Sequence, residues 1–391
     1  VRIRPFEPED VAGVAALWRY WFHDKVLATA PELEAWARRV YVERPGGDPD
    51  VPSLVAEDDD RRVIGFLGAT TTPVLLDGAP ATLAGVFPSV VAPDAPTTVA
   101  TFLLRKFLAG PQALTVSDGG HVRFERIWEG LGGRVAPTAS LRWIKVLRPA
   151  SLGAGAVLGR RGWGRATAPA WRPVARGADA LARRARPWWF GTLQVDEGGV
   201  RKAPRPPLAL AAEPLTPETF VDALERVHAR ARLRPAYAPG YLAWLFDAMG
   251  RVPGQGTLEA TLLRTADGAP VGWWVAYLRP GGTSRVFALD GADRHLDAVV
   301  DHLFARADDA GVGAVIGRLE PRLRRTMAAR GTFTHNGGSR QFVHARDATL
   351  RDDALLGRLA FSRLEGENWY WWGIEEARVG GADEAGVRFS G

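Results

Sequence analysis

The stretch "LTVSDGGHVR" sets Ser117 and Asp118 at the carboxyl end of an apolar run, with His121 at the start of the helical pattern that follows. In open α/β sheets the carboxyl ends of strands face the ligand crevice. A carboxylate or imidazole placed there takes a proton from an amine or a hydroxyl. Asp118 equally suits a helix cap and His121 a surface position, so the residue types admit both uses. Glu320 ends a similar strand, "VIGRLEP", and is a base candidate of the same kind. Nothing resembles a nucleophile elbow, so a Ser-His-Asp triad is not expected.

A second pattern lies at residues 84–108, "AGVFPSVVAPDAPTTVATFLLRKFL". It reads as a strand ending at Val90-Val91, a Pro-Asp-Ala-Pro turn, and a helix from about Thr97. A helix start offers free N–H groups and the positive end of a dipole, and the Thr97 and Thr98 hydroxyls add donors for a pyrophosphate or carboxylate. An ordinary helix start, with Asp94 shaping the turn, fits the same residues. Tyr237, Tyr241 and Trp244 in "RPAYAPGYLAWLF" recur at helical spacing. Such a set is core or groove wall, and its ring faces suit a sugar or acyl acceptor.

Composition removes several kinds of chemistry. The chain of 391 residues has no cysteine, which excludes disulfides, thiolate nucleophiles and cysteine-ligated metals. Seven scattered histidines show no metal-ligand spacing, so no metal is expected. The first residues, "VRIRPFEPED", lack an apolar signal region, and no run reaches the roughly 18–20 apolar residues that span a bilayer. The chain reads as soluble and cytoplasmic. Its net charge of +6 is uneven. Between Arg148 and Arg205 twelve basic residues face three acidic ones, so the remainder is net acidic.

The elements that must position these residues form two blocks. The first, 1–148, opens with the alternating "VRIRPF" and a helix placing Val11, Val14, Ala15, Trp18 and Phe22 on one face. A second helix, a two-strand acidic-turn unit, the stretch at 84–108, the strand "ALTVSD", a helix and a final strand "APTASLRWIKVLRP" follow. Residues 149–206 are rich in Gly, Ala, Arg and Trp and read as a linker with one short helix near 173–186. The third block, 207–391, repeats the order β-α-α-β-β-β-α-β-α-β, which suggests duplication. In it Trp273 and Trp274 point to opposite faces of one strand.

In this order of elements the chain resembles the GNAT superfamily of acyl-CoA N-acyltransferases in a tandem arrangement. "VRIRPFEPEDVAGVAAL", "VVAPDAPTTVATFLLRKFL" and "RIWEGLGGRV" carry the likeness in the first block. "RPAYAPGYLAWLF", "GAPVGWWVAYL" and "SRLEGENWYWW" resemble divergent bacterial GNAT-like proteins, some tied to envelope polysaccharide work. The resemblance implies an α/β fold of mixed sheets in two acyltransferase-like domains. It implies acyl transfer from acetyl-CoA or another acyl-CoA to an amine or hydroxyl of a small metabolite or envelope glycan. The donor would meet Val91, Ala92, Pro96, Thr97, Thr98, Val99 and Ala100, with a backbone N–H near Val91 or Ala92 polarising the thioester carbonyl. The acceptor would meet Tyr237, Tyr241 and Trp244, and Asp118, His121 or Glu320 would act as base.

The sequence departs from the family at two places in each block. The spaced glycines that let a pyrophosphate approach are replaced by Ala95–Ala100 in the first block, and Asp290 and Asp293 flank the lone Gly291 in the third. The late-helix tyrosine is replaced by Trp128 and by Met327. A catalytically inactive GNAT-like module that binds a ligand, membrane or protein is the alternative. A third reading, aminoacyl-tRNA-dependent transfer, uses residues 148–205, whose Arg and Trp (Trp163, Trp171, Trp188, Trp189) suit an anionic membrane surface or tRNA. A solvated connector pinned by its tryptophans fits them too, and DNA is not among the expected partners.

Overall fold

A computed structural model describes residues 1–22, 29–120, 122–150, 210–252, 254–336 and 340–366, with isolated positions at 152, 174, 177–179 and 181. The chain forms two compact units. The first comprises Val1–Leu141, Thr216–Val252 and Asn336–Glu376; the second comprises Arg142–Leu215, Pro253–His335 and Ala377–Gly391.

In the first unit, β1 (Arg2–Pro5) leads into a 3-10 turn and α1 (Val11–Phe22). Arg4 fixes that entry, gripping Asp10 through two hydrogen bonds of 2.7 and 2.8 Å and Glu57 through one of 2.9 Å. Val11, Val14, Ala15 and Trp18 are buried, as their spacing requires. Helix α2 (Ala30–Tyr41) starts where Glu32 accepts the Thr29 N–H at 2.7 Å. Strands β2 (Leu54–Glu57), β3 (Val63–Leu76) and β4 (Ala79–Val91) then run antiparallel. Asp77 and Gly78, with φ of 50° and 83°, make the tight β3–β4 turn. Next come α3 (Thr98–Leu108), β5 (Leu114–Gly120), α4 (Val122–Gly130) and β6 (Arg134–Ala136). Gly133 lies directly against the Trp128 ring, where a Cβ would collide with it.

The first sheet is completed from far along the chain. Strand β15 (Arg340–His344) inserts between β5 and β6, antiparallel to both. Strand β9 (Leu233–Pro235) pairs with the far end of β3. It brings α5 (Pro217–Val227) and α6 (Pro239–Gly250) with it. Arg232 anchors this segment to Asp353 at 2.8 Å, Asp347 at 2.9 Å and Asp77 at 3.3 Å. Helix α9 (Ala348–Leu355) closes the unit after β15.

The second sheet runs β14 (Phe333–Asn336), β7 (Leu141–Val146), β13 (Ala314–Arg318), β12 (Thr283–Gly291), β11 (Pro270–Leu278), β10 (Thr257–Arg264), β8 (Ala211–Pro214). Helix α7 (Leu296–Asp309) crosses from β12 to its parallel neighbour β13. A 3-10 turn at Pro321–Leu323 leads into α8 (Arg324–Ala329). Every residue of β11 is buried, so Trp273 and Trp274 are both core.

Two expectations are corrected here. The strand of "APTASLRWIKVLRP" is β7, Leu141–Val146, and it joins the second sheet beside β13, not the sheet of the first block. The contiguous boundaries 1–148 and 207–391 do not coincide with the compact units, because β7 from the first block completes the second sheet while β15, α5 and α6 from the third block belong to the first unit. Alternation marks a strand and its buried face, but the edge it joins is a long-range choice that the local pattern does not carry. The linker 149–206, its short helix and its tryptophans lie almost wholly outside the described residues.

Candidate functional site

The site starts from a gap in the first sheet. Parallel strands β4 and β5 pair only at Leu83↔Leu114, Ala84↔Thr115 and Gly85↔Val116. Beyond that point β4 continues to Val91 and β5 to Gly120 without pairing among the described residues. On its other edge β4 stays with β3 at Val91↔Gly65, Val90↔Phe66 and Ser89↔Leu67, and the Ala92 N–H donates to the Ile64 carbonyl at 2.8 Å. Antiparallel bonding alternates residue by residue, so the N–H and C=O of Val91 and Ser89 point away from β3 into the gap. The Val91 carbonyl accepts the Trp21 indole N–H at 2.6 Å. The Ser89 hydroxyl is buried and has no partner among the described residues.

Asp118 lies two residues past the last β4–β5 pair and is 7 % exposed. It is not solvated: its Oδ1 accepts from Gln341 Nε2 on β15 at 2.8 Å. Segment 362–366 covers this point. A Cβ on Gly85 would come within 2.9 Å of the Glu365 carbonyl, and one on Gly366 would collide with Asp118 Oδ2. Glu365 itself is 2 % exposed. Its carboxyl accepts from the Tyr237 hydroxyl, the Ser362 N–H, and the Ser362 hydroxyl at 2.9 Å. Burial pushes the Glu365 carboxyl up to about 7; the Ser362 N–H opposes that shift and the Asp118 charge adds to it. A carboxyl poised there exchanges a proton readily near neutral pH.

Tyr237, Tyr241 and Trp244 are brought together as expected. Their rings stack with centroids 5.6 and 5.9 Å apart, and Arg44 lies 5.0 Å from the Tyr241 centroid. Tyr237 and Tyr241 are buried while Trp244 is partly exposed, so the row is a wall with one open end. Tyr237 does more than line it, since its hydroxyl reaches Glu365.

The turn at 92–98 fits a pyrophosphate poorly. Ala92 N–H is spent on Ile64, Ala95 N–H on Ala92 at 3.0 Å and Val99 N–H on Pro96 at 3.0 Å. Pro93 and Pro96 have no N–H. The Arg62 guanidinium holds Asp94, at 2.8 Å, below the usual carboxylate range. Val99 is buried against β3 and Ala100 is half-buried, which leaves the exposed Thr97 and Thr98 N–H groups as donors. The expectation that Ala92 N–H polarises a carbonyl is therefore corrected. Val91 faces the gap but stands about four residues, or roughly 13 Å, beyond the level of Asp118 along the strand. Ser89 N–H is the nearer gap-facing donor.

The second unit's candidates are engaged otherwise. Glu320 accepts from Arg318 Nε at 2.6 Å where it precedes the 3-10 turn. Arg322 ties the turn after β12 shut, at 2.6 Å from Asp290, 2.9 Å from Asp293 and 2.7 Å from the Gly291 carbonyl. Met327 is core. In the first unit Trp128 donates to the Val343 carbonyl at 3.1 Å and stacks on Phe342, a packing role. His121 lies outside the described residues. Among the described residues no cluster of metal-ligand type occurs, and no helix is long and apolar enough to cross a membrane.

Sequence reasoning missed Glu365, Gln341 and Ser89. The one local signal for Glu365 is the Ser-x-x-Glu spacing of "SRLE", whose Ser362 N–H and hydroxyl turn back onto the carboxylate.

No family model matches the sequence, and no curated protein matches it. Solved structures do match by shape. A GCN5-related N-acetyltransferase from Kribbella flavida is 15% identical with a TM-score of 0.51, covering 89% of this chain and 71% of that one. A GCN5-related N-acetyltransferase from Anabaena variabilis is 11% identical with a TM-score of 0.51 over 88% of this chain and 72% of its own. A conserved Enterococcus faecalis protein described as a probable N-acyltransferase is 10% identical with a TM-score of 0.50, at 88% and 72% coverage. At such identities the likeness speaks for the fold. The chain has the GNAT fold, built on two mixed sheets.

Proposed function

We propose that the chain is an acyltransferase that moves an acyl group from an acyl thioester to an amine or hydroxyl acceptor, with the chemistry in the first unit. The observation that carries this reading is the buried Asp118–Glu365 pair at the mouth of the β4–β5 gap. An extended thioester arm laid in that gap would meet the gap-facing N–H groups of Ser89 and Val91 on β4, which fit such an arm better than the turn at 92–98 fits a pyrophosphate. Ser89 N–H would donate to the thioester carbonyl oxygen as negative charge develops there. The acceptor's lone pair forms the new bond to the carbonyl carbon while the carbon–sulfur bond breaks. The acceptor's proton passes to Glu365, directly or through the Tyr237 hydroxyl, and Glu365 returns it to the leaving thiolate. A small metabolite or glycan acceptor would enter over the open end of the Tyr237–Tyr241–Trp244 wall.

The test is thiol release from acetyl-CoA or acetyl-pantetheine across a panel of amines and amino sugars. Glu365→Gln, which mimics the protonated carboxyl, should lower the rate by about 10²–10⁴-fold. Release that is equal in both proteins would remove Glu365 from the chemistry. The alternative, a GNAT-fold module that binds without turnover, is favoured by the poor anion cradle at 92–98, and saturable binding without thiol release from any acceptor would establish it.

A further inference from the structure

Several guanidinium groups of the first unit meet carboxylates. Arg4 holds Asp10 and Glu57, Arg39 holds Asp247, Arg62 holds Asp94, and Arg232 holds Asp353. Arg44 is placed differently. Strand β2 pairs with β3 as far as Leu67, and β9 takes over that edge only at Val74. The residues after α2 enter the interval, where the Asp48 N–H donates to the Thr71 hydroxyl at 2.8 Å and Arg44 donates to the Thr71 carbonyl. Asp48 is turned elsewhere, its carboxylate accepting from the Thr82 hydroxyl at 2.5 Å and the Asp50 N–H at 3.0 Å.

Arg44 is half-buried, and its other contacts are with Tyr241. Its guanidinium carbon lies 5.0 Å from the ring centroid, and one terminal nitrogen is 3.4 Å from the hydroxyl. Its Nε is buried without a hydrogen-bond partner, and no carboxylate stands within ion-pair distance of it among the described residues. Arginine keeps its charge in such places, and a partly desolvated charge that meets only neutral groups is costly. A carboxylate or phosphate brought by a ligand relieves that cost, and the planar fork suits its paired oxygens. The position identifies the ligand with the acceptor. Tyr241 stacks on Tyr237, whose hydroxyl donates to Glu365, so two stacked rings connect the guanidinium to the proposed base. All four residues belong to the first unit.

We infer that the acceptor is an amine that carries a carboxylate or phosphate, and that Arg44 binds this oxyanion while the amine faces Glu365. The inference rests on acyl transfer in the first unit for the amine's role, but not for the binding. The probes are ω-amino carboxylates of increasing length and aminoethyl phosphate, each beside its counterpart without the anion, an alkylamine or ethanolamine. They are titrated into the full chain by calorimetry at constant ionic strength without donor, then offered with acetyl-CoA in the thiol-release assay. The wild-type protein should bind an anionic amine at least about tenfold tighter than its counterpart, and the tighter of the two classes identifies the oxyanion. Arg44→Gln should abolish that preference, and Arg44→Lys, a point charge without the fork, should keep part of it. Arg226→Gln, an exposed change on α5, should leave it intact. If Arg44→Gln does not fold, the wild-type preference and its partial loss in Arg44→Lys still decide. Absence of a preference in the wild-type protein overturns the inference, as does a preference that Arg44→Gln or Arg44→Lys leaves whole. Arg44-dependent binding without thiol release would uphold the inference and remove acyl transfer, whereas thiol release indifferent to the anion would do the reverse.

Discussion

Burial first, and then the charge of Asp118 on β5, raises the proton affinity of Glu365, and Gly366 packs directly on the Asp118 carboxylate. The buried pair leaves a carboxyl at a strand end with a value raised to about 7. Its consequences can be measured separately.

Glu365 must be ionised to accept a proton, so the transfer rate should rise with pH through about 7 and level off above it. Removing the Asp118 charge removes one cause of the raised value. Asp118→Asn, which keeps an acceptor for Gln341, should therefore move that limb to lower pH. A limb that stays in place would mean that the two carboxyls do not act on each other.

The same group makes stability depend on pH. Glu365 holds its proton more tightly folded, at about 7, than at its ordinary value of 4.5. Its contribution is fully present below the unfolded value and is lost as pH rises through about 7, on the order of 3 kcal/mol in all. Denaturant unfolding at pH 5 and pH 8 should show that loss in the wild-type protein, and Glu365→Gln should flatten it.

Gly133 tests the core beneath the site. A Cβ there enters the Trp128 ring, so Gly133→Ala should cost about 1–3 kcal/mol through overpacking. Gly130→Ala, where a Cβ meets nothing and the residue ends α4, should be neutral or stabilising by comparison. Equal effects in thermal unfolding would show that Trp128 is free to move aside.

Much of the first unit was legible in the sequence because its elements are local. The face Val11, Val14, Ala15 and Trp18, the turn after β4 and the strand that carries Asp118 follow from periodicity and turn chemistry, although that strand runs on to Gly120. The partners of strands are set at long range, so β7 and β15 were assigned to the wrong sheets. Glu365 was invisible as a candidate for the same reason. Its value depends on burial under a tail segment and on Asp118, neither of which a local window contains. Ala92 failed as a donor because β3 reaches Ile64, one residue further than the turn alone suggests. Tyr237 was found for its ring, and only the fold shows that its hydroxyl donates to Glu365.

The most direct test of donor binding in the β4–β5 gap is a calorimetric titration of acetyl-CoA and acetyl-pantetheine into the full chain. On the proposed reading, the gap-facing edge of β4 would hold the arm both share, and the turn at 92–98 would add little for the nucleotide. Both should bind, with Kd values within about tenfold of each other. Binding of neither at millimolar concentration, or of acetyl-CoA alone, would contradict a thioester arm seated along β4.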